Sequence, residues 1–249
     1  DSEKIQNVNK NVDPIRDLEI IETEMKLADL DSIEKRLDKK NKKNVSNEQN
    51  ILLSEAQRII NGDGNIKELN HRFSSKELKI SNLLSVKDRL FVCNVDEKSI
   101  PDGNQYTSKF NEKFDEKEII IISADIENQI NQLDEIEKKN YLKMINQKDA
   151  GLNILIKKAY DKLNLQTFFT SGPEETRAWT INKECTAPEA AGVIHTDFEK
   201  GFIRAETISY NDFLECAGWV NARSEGKMRL EGKDYNVQDG DVLNFRFNT

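Results

Sequence analysis

An α/β region followed by a smaller α+β region, with a helical hairpin inserted near the start, is the architecture that this 249-residue sequence predicts. Three observations carry that expectation. Two short apolar runs, Leu90–Asn94 and Glu118–Ala124, stand about as far apart as a parallel crossover requires. Apolar residues recur at helical spacing on both sides of a lysine-rich stretch. From Gln166 onward the texture changes to short β-rich runs divided by turns.

Residues 1–17 read as an irregular lead-in, because Val12-Asp13-Pro14 favours an extended turn. A helix follows from Leu18 to about Leu37, with Ile21, Met25, Leu30, Ile33 and Leu37 forming a narrow stripe that suits a two-helix hairpin. Lys39, Lys40, Lys42 and Lys43 then mark an exposed tip, and Leu52, Ala56 and Ile59 give the returning helix its face. Asn61-Gly62-Asp63-Gly64 closes that arm. Ser74-Ser75-Lys76-Glu77 has the spacing of a capping box and opens a short helix expected to carry Leu78, Leu83 and Leu84.

The run Leu90–Asn94 has strand length and ends in Val95-Asp96-Glu97, so Asn94 and Glu97 stand just beyond the carboxyl end of a strand, where open α/β sheets hold ligands. An amide can donate to and accept from the N7/N6 edge of adenine, and a carboxylate accepts from an exocyclic amine. The same residues also suit a capped, solvated turn. After Pro101-Asp102-Gly103-Asn104, residues 106–114 are expected to be helical, and Glu118–Ala124 reads as a second strand, buried on both faces and parallel to the first. Ser123-Ala124 would then lie beside Asn94. Residues 125–149 are charged and helical. Leu152, Leu155, Ile156, Ala159, Tyr160 and Leu163 form a stripe expected to lie against the sheet.

In the last third, strands are expected around Thr167–Thr170, Arg177–Ile181, Phe202–Ile208 and Val242–Phe247, with one or two short helices. Thr186-Ala187-Pro188-Glu189 repeats the capping-box spacing. Asp239-Gly240-Asp241 lacks the further ligands of a calcium loop and reads as a tight turn. His195, remote from the base loop, is expected to make a structural hydrogen bond.

Composition narrows the function. A net charge of −8 opposes a surface that grips nucleic acid all over, and no DNA sequence recognition is expected. Cys93, Cys185 and Cys216 lie far apart without a C-x-x-C pair, and there are only two histidines, so no metal site is expected in this chain. Cys93, next to Asn94, is a buried strand thiol or one whose oxidation couples to base binding. No apolar run approaches the roughly 18 residues of a membrane span, and a soluble, cytoplasmic protein is expected.

Longer stretches carry a specific resemblance. Arg177–Ile181, Thr186-Ala187-Pro188, Ala190–Glu206, Glu231–Tyr235 and Asp239–Val242 closely resemble the TGS domain of YchF-type Obg-like ATPases. Val12-Asp13-Pro14, Glu22-Thr23-Glu24 and Leu27–Asp31 look like that family's entry into its helical arm, and Asn94-Val95-Asp96-Glu97 like its N-x-x-E base motif. The resemblance implies the rear half of a P-loop nucleotide-binding domain (residues 1–17 and 74–165), an inserted antiparallel helical hairpin (18–73) and a ubiquitin-like β-grasp TGS domain (166–249). It implies base contacts from Asn94, Val95, Glu97, Ser123 and Ala124, and ATP, or GTP, bound with Mg2+ in the full-length parent.

The departure from the family is equally clear, since no G-x-x-x-x-G-K-S/T and no D-x-x-G occurs; Gly226-Lys227 and Gly232-Lys233 are followed by Met228 and Asp234. The chain is therefore expected to be the rear two-thirds of such an ATPase and to be inactive alone. Two functions stay open: part of a ribosome-associated, translation-linked ATPase that prefers ATP, or a non-catalytic module that docks a ribosomal or protein partner. Lys39, Lys40, Lys42 and Lys43, with Lys200, Arg204, Lys227 and Arg229, are the candidate RNA contacts, unless they are solvated surface.

Overall fold

The computed structural model describes residues 12–38, 46–62, 64–115 and 118–248, and the chain divides into two compact units, Asp1–Ile154 and Leu155–Thr249. In the first unit, α1 (Pro14–Leu37) begins earlier than expected. Asp13 caps it by accepting from the Arg16 amide at 3.2 Å, with Pro14 in the first turn. The extended conformation that proline imposes on its predecessor is what a capping residue needs, and a missing N–H costs nothing there.

Asp29 and Ile33 are the buried residues of α1, whereas α2 (Asn47–Asn61) buries Leu52, Leu53, Ala56, Ile59 and Ile60. These join Leu69 and Leu83 in one core. The first half of the α1 stripe stays open, for Ile21 and Met25 are exposed. α3 (Ser75–Ser81) carries the reciprocal Ser74–Glu77 cap that the spacing predicts. It stops at Asn82, whose left-handed φ of 54° ends the helix, so Leu83 and Leu84 lie beyond it rather than on it. The Asp29 carboxylate holds that exit, accepting from Leu84 N at 2.7 Å, Ser85 N at 2.9 Å and Ser85 Oγ at 2.5 Å.

β1 (Phe91–Asn94) pairs in parallel with β2 (Ile119–Ile122), residue for residue from Phe91 opposite Ile119 to Asn94 opposite Ile122. The crossover helix α4 (Gln105–Lys113) is capped by Asn104 and sets Phe110 edge-on to Phe91, ring centroids 5.5 Å apart. α5 (Ala124–Ile130) leaves β2 directly, and α6 (Glu135–Met144) starts from a full Asp134–Glu137 box. Ile126, Ile130, Leu142 and Ala150 form their core.

α7 (Gly151–Lys162) is anchored at its start, where Glu127 accepts from Gly151 N at 2.7 Å and Leu152 N at 3.1 Å. Only glycine fits at 151, because a Cβ would come within 2.6 Å of Ile122 Cγ2. The stripe expected to face the sheet is instead exposed at Leu152, Ile156 and Leu163, and Gly151 is the helix's buried residue.

The second unit is a five-stranded mixed sheet in the order β4 (Thr176–Asn182), β3 (Leu165–Ser171), β7 (Asp241–Phe247), β5 (Phe202–Ser209), β6 (Arg229–Glu231). β3 and β7 run parallel and the other pairs antiparallel. α8 (Ala187–Ile194) packs Ala187, Ala190 and Ala191 with Phe168, Ile181, Ala205, Leu243 and Phe245. Its capping residues behave as the spacing predicts, the Glu189 carboxylate accepting from Thr186 N and Oγ1 at 2.8 and 2.7 Å.

Three further short helices correct the expected one or two: α9 (Thr196–Lys200), α10 (Tyr210–Glu215) and α11 (Trp219–Ser224). Each has six residues or fewer, too short for a periodic stripe, and left-handed Ala217 and Gly218 fold α10 into α11. Between β5 and β7, the nearly buried Glu206 accepts from Asn244 Nδ2 at 2.9 Å, Arg246 Nη2 at 3.1 Å and Arg223 Nη2 at 3.2 Å. Asp239-Gly240-Asp241 forms a turn, Asp239 accepting from Thr167 N and Asp241 from Gln238 N and the Tyr235 hydroxyl. Burial, then that carboxylate, push the Tyr235 hydroxyl up to about 12.

Candidate functional site at the ends of the parallel strands

Because β1 and β2 are parallel and in register, both chains leave the sheet at the same rim, with Asn94 opposite Ile122. Val95 N donates to Ile122 O at 2.8 Å, extending the ladder by one step into the loop. Asn94 Oδ1 then accepts from Ala124 N at 3.0 Å, so one side chain ties the two loops together. That bond leaves the Asn94 amide nitrogen as a donor at an exposed position. Val95 and Ser123, the next residues on the two loops, are buried. The Ser123 Oγ is a buried hydroxyl with no hydrogen-bond partner. Such a group is costly in a finished interior and stands out beside a ligand rim.

Glu97 opens a short 3-10 turn, and its carboxylate accepts from Gln129 Nε2 at 2.6 Å. The Gln129 Oε1 in turn accepts from the Tyr141 hydroxyl at 2.9 Å. A carboxylate can only accept, which fixes the orientation of the Gln129 amide. Asn94 and Glu97 therefore both lean on α5, but on residues five apart, roughly 7.5 Å of helix. A cavity of about 330 Å³ beside β1 is lined by Asn94 and Val95 together with Asn104, Tyr106 and Phe110, while Glu97, Ser123 and Ala124 lie outside its lining.

Sequence reasoning missed Gln129 and Tyr141. They sit 32 and 44 positions after Glu97, and a lone Gln and Tyr on charged helices carry no motif.

Among the described residues, three of the predicted cations are held in ion pairs. Lys39, Lys40, Lys42 and Lys43 lie outside the described residues. Lys227 pairs with Asp212 at 2.9 Å, Lys200 with Asp197 at 3.9 Å, and Arg229 with Asp241 at 3.5 Å and Glu231 at 3.6 Å. Arg229 is in register with Thr207 on β5, so by strand alternation it faces away from Arg204. His195 Nδ1 accepts from Asp197 N at 3.2 Å, a capping role. Cys93 is half-buried on β1, and that burial raises its thiol above the ordinary range. Among the described residues, no group of three or more His, Cys, Asp or Glu could hold a metal ion, and no helix is long and apolar enough to cross a membrane.

The comparisons with known proteins cover the whole chain. A family model, YchF-GTPase_C, described as a protein of unknown function, matches residues 165–248. A Bacillus subtilis (strain 168) protein named Ribosome-binding ATPase YchF is 40% identical over 256 residues, covering 99% of this chain and 70% of that protein. Obg-like ATPase 1 of Xenopus laevis is 36% identical over 264 residues, covering 100% of this chain and 66% of that protein. The solved structure of the Schizosaccharomyces pombe YchF GTPase superposes with a TM-score of 0.78 at 30% identity, over 99% of this chain and 69% of that one. With 40% identity across nearly its full length, matched to 70% of the Bacillus relative, the chain belongs to the YchF family of Obg-like ATPases.

Proposed function

We propose that this chain supplies the base-reading rim and the partner-binding elements of a cytoplasmic, ribosome-associated ATPase that takes ATP in preference to GTP. The observation that carries the reading is the Asn94–Ala124 bond, which locks two loops side by side at the carboxyl ends of paired parallel strands. On it, Asn94 donates to the base edge, Val95 and Ala124 flank the ring, the unsatisfied Ser123 hydroxyl supports the rim, and Glu97 accepts from the exocyclic amine once released from Gln129.

These residues fit a purine. The phosphates and Mg2+ find no such fit here, for the sequence holds no phosphate-cradling glycine loop and the described residues hold no acidic or histidine cluster for a cation. When bound, Mg2+ would neutralise developing charge on the phosphates, on donors outside the residues described. Isotope-labelled chain titrated with adenosine is expected to show shifts at the Asn94 side-chain amide and the Ala124 N–H, with guanosine weaker. Equal shifts for both nucleosides would refute adenine selectivity at this rim.

The proposed domains follow the family: partial P-loop domain at 1–17 and 74–165, hairpin arm at 18–73, β-grasp TGS domain at 166–249. Supporting the last is the strand order, in which first and last strands of the unit run parallel at the centre. The names of the bacterial relatives support a ribosomal partner, with Lys39–Lys43, Lys200, Arg204, Lys227 and Arg229 the proposed RNA contacts. Residues 1–249 are expected to co-sediment with ribosomes without nucleotide and to turn over no ATP. Measurable turnover, or a strict ATP requirement for sedimentation, would place phosphate contacts within this chain.

A further inference from the structure

In the N-terminal unit, three stretches remote in sequence surround a cavity of about 320 Å³ that is separate from the base rim. Among the described residues, its walls carry four cations, Lys26, Lys67, Lys87 and Arg89, against two carboxylates, Glu22 and Asp88. Arg89 is committed in part, its Nε being buried without a hydrogen-bond partner. Its guanidinium bonds Glu22 and lies 5.0 Å from the Phe91 ring centroid and 5.5 Å from that of Phe114.

Lys26, Lys67 and Lys87 have no ion-pair partner among the described residues. The described lining residues thus hold a surplus of two positive charges (four cations less two carboxylates) on a chain whose net charge is −8. In a concave site with low-dielectric walls such a surplus concentrates anions. Met25 and Leu84, both partly exposed, give the same cavity an apolar wall.

An anion with an apolar body matches that pairing. The volume lies at the lower end of the range for small-molecule pockets. An RNA strand spreads its charges along an extended groove, whereas here the cations line one cavity.

We propose that this cavity binds a small organic phosphate, the phosphoryl group on Lys26, Lys67 and Lys87 and the apolar body against Met25 and Leu84. Phenyl phosphate and inorganic phosphate, titrated calorimetrically into the 249-residue chain, test it without engaging the base rim, since neither has a base edge. Phenyl phosphate is expected to bind saturably and more tightly than inorganic phosphate. K67Q and K87Q should each weaken it about tenfold or more, the scale of a lost charged hydrogen bond. K87R should keep most of the affinity, and Met25→Ala should shrink the advantage of the phenyl ring. No saturable binding, an affinity in K67Q and K87Q unchanged from that of the unsubstituted chain, or binding of single-stranded RNA without phenyl phosphate would each overturn the proposal.

Discussion

Asp29→Ala is expected to destabilise the N-terminal unit by about 3 kcal/mol, the scale of losing hydrogen bonds to a charged group and leaving their buried donors unpaired. Asp29 is 2% exposed, and its three acceptor contacts all go to Leu84 and Ser85, in the stretch that leads from α3 into β1. Hydrogen bonds to a charged group contribute about 1.5–3 kcal/mol each, so deleting the carboxylate outweighs any single truncation on the exposed half of α1. Asp29→Asn, which keeps one acceptor oxygen, should fall between.

Both tryptophans, Trp179 and Trp219, lie in the C-terminal unit, so tryptophan fluorescence follows that unit and far-ultraviolet circular dichroism adds the helices of the other. The variant should lower the circular-dichroism transition and leave the fluorescence transition in place. A shift under about 1 kcal/mol would mean that water replaces the carboxylate. The consequence reaches the proposed function, because Asp29 ties α1 to the chain entering β1, whose far end is the proposed base rim.

Local chemistry was legible in the sequence, and long-range placement was not. The Ser74–Glu77 and Thr186–Glu189 caps depend on residues three apart, and the β2 run announces itself by four consecutive isoleucines. The start of α1 was misread because Pro14 suits both a turn and a first helical turn, and only the Asp13 cap decides between them. The end of α3 turns on one left-handed asparagine, a conformation with no periodic signature.

The geometry of the proposed base rim was half legible. Strand length and the N-x-x-E spacing placed Asn94, but the commitment of Glu97 to Gln129, and of Gln129 to Tyr141, arises from how α5 and α6 pack. The opposite facing of Arg204 and Arg229 follows from strand register, which residue types alone do not specify. The family itself was legible, since the TGS-like and arm-like stretches point to the same family as the relatives do.

Glu97→Asp combined with Val95→Lys, in a chimera that supplies the phosphate-binding portion of a YchF relative, is expected to move base preference from ATP toward GTP by about tenfold or more. The change rebuilds N-K-x-D, and a charged hydrogen bond gained on one base and lost on the other is worth about 1.5–3 kcal/mol. The structure adds two constraints. Aspartate is one methylene shorter, so it withdraws from Gln129, which Glu97 reaches at 2.6 Å, and frees the acid for the base. Val95 is 7% exposed, so a lysine there must lay its stem in the valine's place and carry its ammonium over the base or into solvent.

That second substitution therefore lowers stability, and the ratio of ATP to GTP affinity is the quantity to measure, because a folding penalty common to both cancels from it. Glu97→Asp alone should relax selectivity without reversing it. An unchanged ratio in the double variant, with circular dichroism showing the fold intact, would mean that the base is read by residues other than Asn94, Val95 and Glu97.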